Sequence, residues 1–75
     1  MNGRLTWHED ATVELTPGYT LLDADGAPAA RLTAVRIALE GGFVHVAVPG
    51  VNDVQVISAP GIHRLSYPHP GHELS

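Results

Sequence analysis

The pair Gly41-Gly42 constrains the fold of this chain more than any other feature of the sequence. It lies inside the run VRIALEGGFVHVAVPG, where aliphatic residues alternate with other residues on both sides. A two-residue β-hairpin turn needs positive φ at both central positions, and glycine adopts positive φ without a steric penalty. The sequence therefore predicts a hairpin with strands over residues 35–40 and 43–48.

Counting outward from the turn fixes the register of this hairpin, with Glu40 opposite Phe43 and Ile37 opposite Val46. Because side chains alternate between the two faces of a strand, the aliphatic ones share one face. That face holds Val35, Ile37, Leu39, Val44, Val46 and Val48. The other face holds Arg36, Ala38, Glu40, Phe43, His45 and Ala47.

A helix over residues 28–40 is the competing interpretation of the first half of this run. Pro28 suits the first helical position, Gly41 suits the C-terminal cap, and Arg36 with Glu40 forms an i,i+4 pair. The β-branched content and the agreement of both strands on one aliphatic face favour the hairpin.

Further short strands are predicted over residues 12–16, 19–23, 53–58 and 62–67, with another beginning near Ala30. Turn signals separate them, namely Asp25-Gly26 and a Pro-Gly pair after each of Thr16, Val48 and Ala59. Five or six short strands at spacings near ten residues predict an all-β fold, a small antiparallel barrel or sandwich of SH3-like size.

The length of 75 residues allows one domain. We expect an irregular N-terminal arm over residues 1–11, a β domain over residues 12–67 and an extended, Pro-containing tail over residues 68–75. At this size the free energy gained by burying apolar surface and the conformational entropy cost of folding roughly cancel, and the chain has no cysteine to form a disulfide. We therefore expect protein partners, either further copies of the chain or the subunits of a larger assembly.

The charge balance argues against other partners. Four arginines, no lysine and eight acidic residues give a net charge of −4 with neutral histidines. Nucleic-acid binding and anionic membrane surfaces both require clustered basic residues, so neither is expected. The N-terminal run MNGRLTWHED lacks the apolar core of a signal peptide, which predicts a soluble protein that is cytoplasmic at synthesis.

No residue pattern indicates catalysis, a cofactor or a metal. Ser58 and Ser66 lack the glycine pattern of a nucleophile elbow, and the phosphate and dinucleotide loops are absent from the sequence. His63, His69 and His72 could converge only if the tail folds back, at a spacing that matches no known zinc site. The run Asp23-Ala24-Asp25-Gly26 begins like a calcium loop but continues without oxygen ligands, which favours a turn.

The candidate partner-contact residues are Leu5, Trp7, Arg36, Phe43 and His45. Trp7 beside Leu5 either holds the arm on its own domain or anchors in a neighbouring chain. Phe43 shares its face with Arg36 and His45. If that face meets solvent, Phe43 forms an apolar patch with Ala38 and Ala47.

The runs LLDADGAPAARLTAV, VHVAVPG and VISAPGIHRLSYP resemble small β-structured accessory proteins of phage particles, such as capsid decoration or tail subunits. The resemblance spans residues 19–68 and carries over no site residue. It implies a non-enzymatic structural or protein–protein interaction module, present as an oligomer and located in the virion. A free-standing regulatory or ligand-binding β-barrel adaptor is the alternative, and it would stay monomeric with one partner.

Overall fold

A computed structural model describes residues 5–69, and this part of the chain is built almost entirely of β-strands. Five strands form one antiparallel sheet in the order β6-β5-β4-β1-β7, and β2 pairs with β3 in a separate short hairpin. The elements are β1 (Trp7–Leu15), β2 (Leu21–Leu22), β3 (Pro28–Ala29), β4 (Arg31–Glu40), β5 (Phe43–Ala47), β6 (Val54–Ser58), a 3-10 turn (Ala59–Gly61) and β7 (Ile62–Ser66). The predicted all-β fold is confirmed.

The hairpin around Gly41-Gly42 has the predicted register. Strands β4 and β5 pair from Arg36 with Ala47 to Glu40 with Phe43. The two glycines have φ of 53° and 91°, the positive values that the two-residue turn requires. The competing helix over residues 28–40 is therefore wrong, and Pro28 instead pairs with Leu22 in the β2–β3 hairpin.

The core lies on the aliphatic face of the sheet, between the sheet and the β2–β3 hairpin. Its buried residues are Ala11, Val13, Leu15, Leu21, Leu32, Val35, Ile37, Val44, Val46, Val48 and Ile57. Leu39 shares this face but is 49% exposed, because it lies next to the turn at the end of the sheet. There it borders an open apolar cleft with Ile62 and Leu65.

Strand β1 begins at Trp7, five positions before the predicted start at Thr12. The segment 7–11, expected as part of an irregular arm, is therefore a strand paired with β4. Residues 1–4 of the predicted arm and residues 70–75 of the predicted tail lie outside the described residues.

Two β-bulges interrupt the pairing of β1 with β4. The register shifts once between His8 and Ala11 and again between Ala11 and Val13. Each bulge contains a residue other than glycine at positive φ, Asp10 at 54° and Ala34 at 56°. Bulges bend a strand and increase its twist, so this pair curves the long central strands of the sheet.

The curvature brings the two edges of the sheet towards each other. In a flat five-stranded sheet the edge strands β6 and β7 would lie about 19 Å apart, from four spacings of about 4.8 Å. The connection from Ser58 to Ile62 reaches at most about 14 Å when fully extended, and here it forms a 3-10 turn. The sheet must therefore curl, although β6 and β7 do not pair and the sheet is not a closed barrel.

The turn signals have different structural roles. Thr16-Pro17-Gly18-Tyr19 and Val48-Pro49-Gly50-Val51 form hydrogen-bonded turns with glycine at positive φ, as predicted. After Ala59, the third Pro-Gly pair forms the 3-10 turn instead. Gly61 is needed there for space, since a Cβ atom would lie 2.8 Å from the side chains of both Ile57 and Tyr19.

Candidate functional site: the outer face of the sheet

The outer face is the side of the sheet that points away from the core, and its residues follow from the strand register. A central row runs across four strands through Val56, His45, Ala38 and Trp7. The rows on either side hold Val54, Ala47 and Arg36, and Ser58, Phe43 and Glu40. Residues of the β2–β3 hairpin pack against the core side of the sheet, whereas Phe43, Val54 and Val56 on the outer face are about half exposed.

Four of the five predicted contact residues lie together on the outer face, namely Trp7, Arg36, Phe43 and His45. The fifth, Leu5, is half-buried and precedes β1 without belonging to a strand. Trp7 is half-buried and its ring lies 5.3 Å from the Arg36 guanidinium carbon, a cation–π geometry. The indole therefore contacts its own sheet through Arg36.

Polar side chains of the outer face contact each other in two pairs. Arg36 Nε donates to Glu9 Oε2 at 3.0 Å, and His45 Nε2 lies 3.0 Å from Glu40 Oε1. An exposed ion pair such as Arg36 with Glu9 contributes little to stability, about 0–1 kcal/mol. These contacts matter more for binding than for stability. Each carboxylate already has a polar neighbour, so it would not meet a partner protein as an unpaired charge.

Apolar side chains make up the rest of the outer face. Phe43 is 53% exposed, Val56 is 51% exposed and Val54 is 47% exposed. Ala38 is fully buried although it lies on this face, since Trp7 and His45 are its neighbours in the central row. The outer face therefore has an exposed apolar margin, formed by Phe43, Val54 and Val56 on β5 and β6, and a buried centre at Ala38.

Sequence reasoning placed Phe43 and Ala47 in this patch but missed Val54 and Val56. In the run VQVIS both alternating sets contain apolar residues, so the pattern alone did not show which set faces the core. The structure resolves this, because the pairing of β5 with β6 places Val56 beside His45.

The residues considered for metal binding or catalysis are not gathered at one site. Within residues 5–69 no group of three or more histidine or acidic side chains is placed to hold a metal ion. His72 lies outside the described residues. Ser58 and Ser66 lie in the two opposite edge strands of the sheet.

The turn predicted at Asp23-Ala24-Asp25-Gly26 is confirmed. Asp23 Oδ1 accepts hydrogen bonds from the backbone N–H groups of Asp25 at 2.9 Å and Ala27 at 3.0 Å. Gly26 has φ of 80°. The carboxylate therefore stabilises the link between β2 and β3.

Comparison of the chain with protein-family models, with curated proteins and with solved structures finds no match. Among residues 5–69 there is no helix long and apolar enough to cross a membrane. The geometry of the outer face is therefore the observation that bears most directly on function.

Proposed function

We propose that this chain is a non-enzymatic protein–protein interaction module that works as an oligomeric accessory subunit of a larger assembly. The observation that supports the proposal is the outer face, where Phe43, Val54 and Val56 are about half exposed on neighbouring strands. Protein interfaces have an apolar core and are enriched in aromatic residues and arginine, the residue types found here.

The arrangement of charges also suits a protein partner. Burying a lone charged group in an interface is costly, whereas a paired and hydrogen-bonded charge loses less on desolvation. Arg36 and Glu9 already form such a pair in the isolated chain, and the Glu40 carboxylate is within hydrogen-bond distance of His45. Both pairs can therefore sit at the rim of a contact whose centre is Phe43 and the two valines.

In its finer form, the proposal is that the assembly is a phage particle and that the chain is a capsid decoration or tail subunit. The support for this form is the resemblance of the runs between residues 19 and 68 to such proteins. A particle subunit associates in symmetric copies, whereas a free-standing adaptor stays monomeric and binds a single partner. The number of copies that associate therefore distinguishes a particle subunit from an adaptor.

The test compares Phe43→Asp with Leu22→Asp, since Leu22 is similarly exposed at 49% but lies in the β2–β3 hairpin. Multi-angle light scattering at micromolar concentration gives the mass of each purified variant. The same proteins then serve as bait in extracts of the native source. We expect the wild type and Leu22→Asp to retain the same proteins from the extract and Phe43→Asp to lose them.

Circular dichroism of each variant checks that the sheet is intact. If Phe43→Asp is folded and keeps every association of the wild type, the outer face is not the contact surface. A wild-type chain that stays at 7.9 kDa and retains no partner would overturn the proposal as a whole.

A further inference from the structure

Strand β6 is an edge of the sheet, and its backbone pattern shows which hydrogen-bonding groups point outward. The Ala59 N–H donates to the Gly42 carbonyl at 2.8 Å, so these two residues form a hydrogen-bonded pair next to the β5–β6 ladder. Hydrogen-bonded and non-hydrogen-bonded pairs alternate along antiparallel strands. Ile57 and Gln55 therefore bond to β5.

The remaining β6 residues direct their N–H and C=O groups away from β5. They are Val54, Val56 and Ser58. Among the turn and loop hydrogen bonds that join backbone groups of residues 5–69, none involves these three residues. Their side chains lie on the outer face, so the outward backbone groups and the exposed valines belong to the same residues.

Nothing in β6 protects this edge. Natural proteins usually block an edge strand with lysine, proline, a bulge or another charged side chain. The sequence of β6 is VQVIS, and its pairing with β5 has no bulge. The opposite edge strand β7 has the sequence IHRLS, in which His63 and Arg64 are exposed.

We propose that β6 pairs antiparallel with β6 of a second copy of the chain, with Val56 opposite Val56 on a two-fold axis. In this register Val54 lies opposite Ser58 of the second copy. All three outward N–H groups and all three outward C=O groups of each copy then find partners. The result is a continuous ten-stranded sheet, twice the five strands of one copy.

The charge of Asp53 favours antiparallel over parallel pairing of the two β6 strands. Asp53 immediately precedes β6, and each copy has a net charge of −4. Antiparallel pairing places Asp53 beside Ala59 of the second copy and keeps the two Asp53 residues about 20 Å apart along the strands, from six residues at about 3.4 Å. Parallel pairing would bring the two carboxylates together, which is unfavourable.

The pairing extends the proposed interaction surface and rests on the proposed function, because it names a second copy as one partner. It joins the outer faces of two copies along Val54 and Val56. The apolar margin of each copy thereby becomes the middle of a larger surface with Phe43 on both sides. This is the form in which a small subunit would present its outer face to an assembly.

The first test uses single cysteines, which the natural chain lacks. In the proposed register the Cα atoms of the two residues 56 lie about 5.5 Å apart, within disulfide range. The two residues 54 are offset by four positions, about 14 Å along the strands, and are out of range. Val54 and Val56 are matched in residue type, sheet face and exposure.

We expect Val56→Cys to form a covalent dimer under mild oxidation, seen on non-reducing gels, and Val54→Cys to stay monomeric on the same gels. Equal cross-linking of both variants would overturn the register. Absence of cross-linking in Val56→Cys, at concentrations where light scattering shows a dimer of the wild type, would overturn pairing through β6.

The second test removes a backbone donor. Proline is tolerated in an edge strand where the N–H points outward, so Val56→Pro should keep the β-sheet spectrum and lose the central hydrogen bonds of the dimer. Val56→Thr keeps the N–H and a β-branched side chain. We expect the mass of Val56→Pro to fall to that of the monomer while Val56→Thr keeps the wild-type mass.

The outcomes separate this inference from the proposed function. If Val56→Pro keeps the wild-type mass while Phe43→Asp loses association, the β6 pairing is wrong and the interaction module stands. If Val56→Cys cross-links selectively while Phe43→Asp behaves like the wild type, the pairing is supported and the outer face is not the contact surface.

Discussion

The side-chain amide of Gln55 binds the backbone of Leu22 through two hydrogen bonds. Gln55 Nε2 donates to the Leu22 carbonyl at 2.8 Å, and Gln55 Oε1 accepts from the Leu22 N–H at 2.8 Å. The amide thus satisfies a donor and an acceptor of β2 as a neighbouring strand would. It ties the β2–β3 hairpin to edge strand β6 over the core.

Replacing Gln55 with methionine removes both hydrogen bonds at similar side-chain volume. We expect Gln55→Met to lower the free energy of unfolding by about 1–3 kcal/mol, since two backbone groups lose their partner. Asn52→Ala, which removes an exposed amide from the preceding loop, should change it by less than about 0.5 kcal/mol. Urea denaturation followed by circular dichroism measures both, and equal effects would contradict the role of Gln55.

Ala34 offers a stabilising substitution, because it is exposed and has φ of 56° within a bulge. The left-handed conformation costs about 1–2 kcal/mol for a residue with a Cβ atom, and glycine avoids most of this cost. We expect Ala34→Gly to raise the free energy of unfolding by about 0.5–1 kcal/mol.

The control for this prediction is Ala24→Gly, at an exposed position whose φ is not positive. It should be neutral or slightly destabilising, since glycine gains conformational entropy in the unfolded chain. Thermal denaturation of the two variants gives the comparison. A lower melting temperature for Ala34→Gly would show that the backbone at this bulge is not strained.

Gly61 should not tolerate a methyl group. We expect Gly61→Ala to destabilise the fold by about 1–3 kcal/mol, because the new Cβ would overlap Ile57 and Tyr19. Tyr19 is 41% exposed, so its ring can be removed with less damage than a core residue. In a double-mutant cycle, Gly61→Ala should cost less in the Tyr19→Ala background, and additive effects would argue against the close contact.

An aspartate should greatly lower the free energy of unfolding at one position of β5 and hardly change it at the next. Val46 is fully buried, so Val46→Asp should cost more than about 3 kcal/mol or prevent folding. Ala47 lies on the outer face opposite Arg36, where Ala47→Asp gains a cross-strand partner and should change stability by less than about 1 kcal/mol. Guanidinium denaturation checks the pair; a tolerated Val46→Asp would contradict the observed register.

The parts of the fold that the sequence predicts well depend on local chemistry. Gly41-Gly42 determines the turn, the turn determines the register, and the register places Phe43 and His45 on one face. Asp23 and the first two Pro-Gly pairs are similarly local, since a turn needs only a few neighbouring residues.

The parts that the sequence does not predict depend on long-range packing. Nothing about Ala34 or Asp10 as residues marks a bulge, because the left-handed conformation at each is imposed by the pairing of β1 with β4. Gly61 looks like a turn glycine, yet it is present because Ile57 and Tyr19 close over it. Val54 and Val56 could be assigned to the outer face only after the order of the strands was known.

Strand β1 lies between β4 and β7, so the sheet can form fully only when both of these later strands are present. Val13 pairs with Leu65, a separation of 52 residues (65 − 13) in a chain of 75. Contacts between such distant residues slow folding, because a large loop must close before they form. A nascent polypeptide that stops short of Ile62 leaves one edge of β1 without a neighbouring strand, so the native sheet is completed only after β7 has been synthesised.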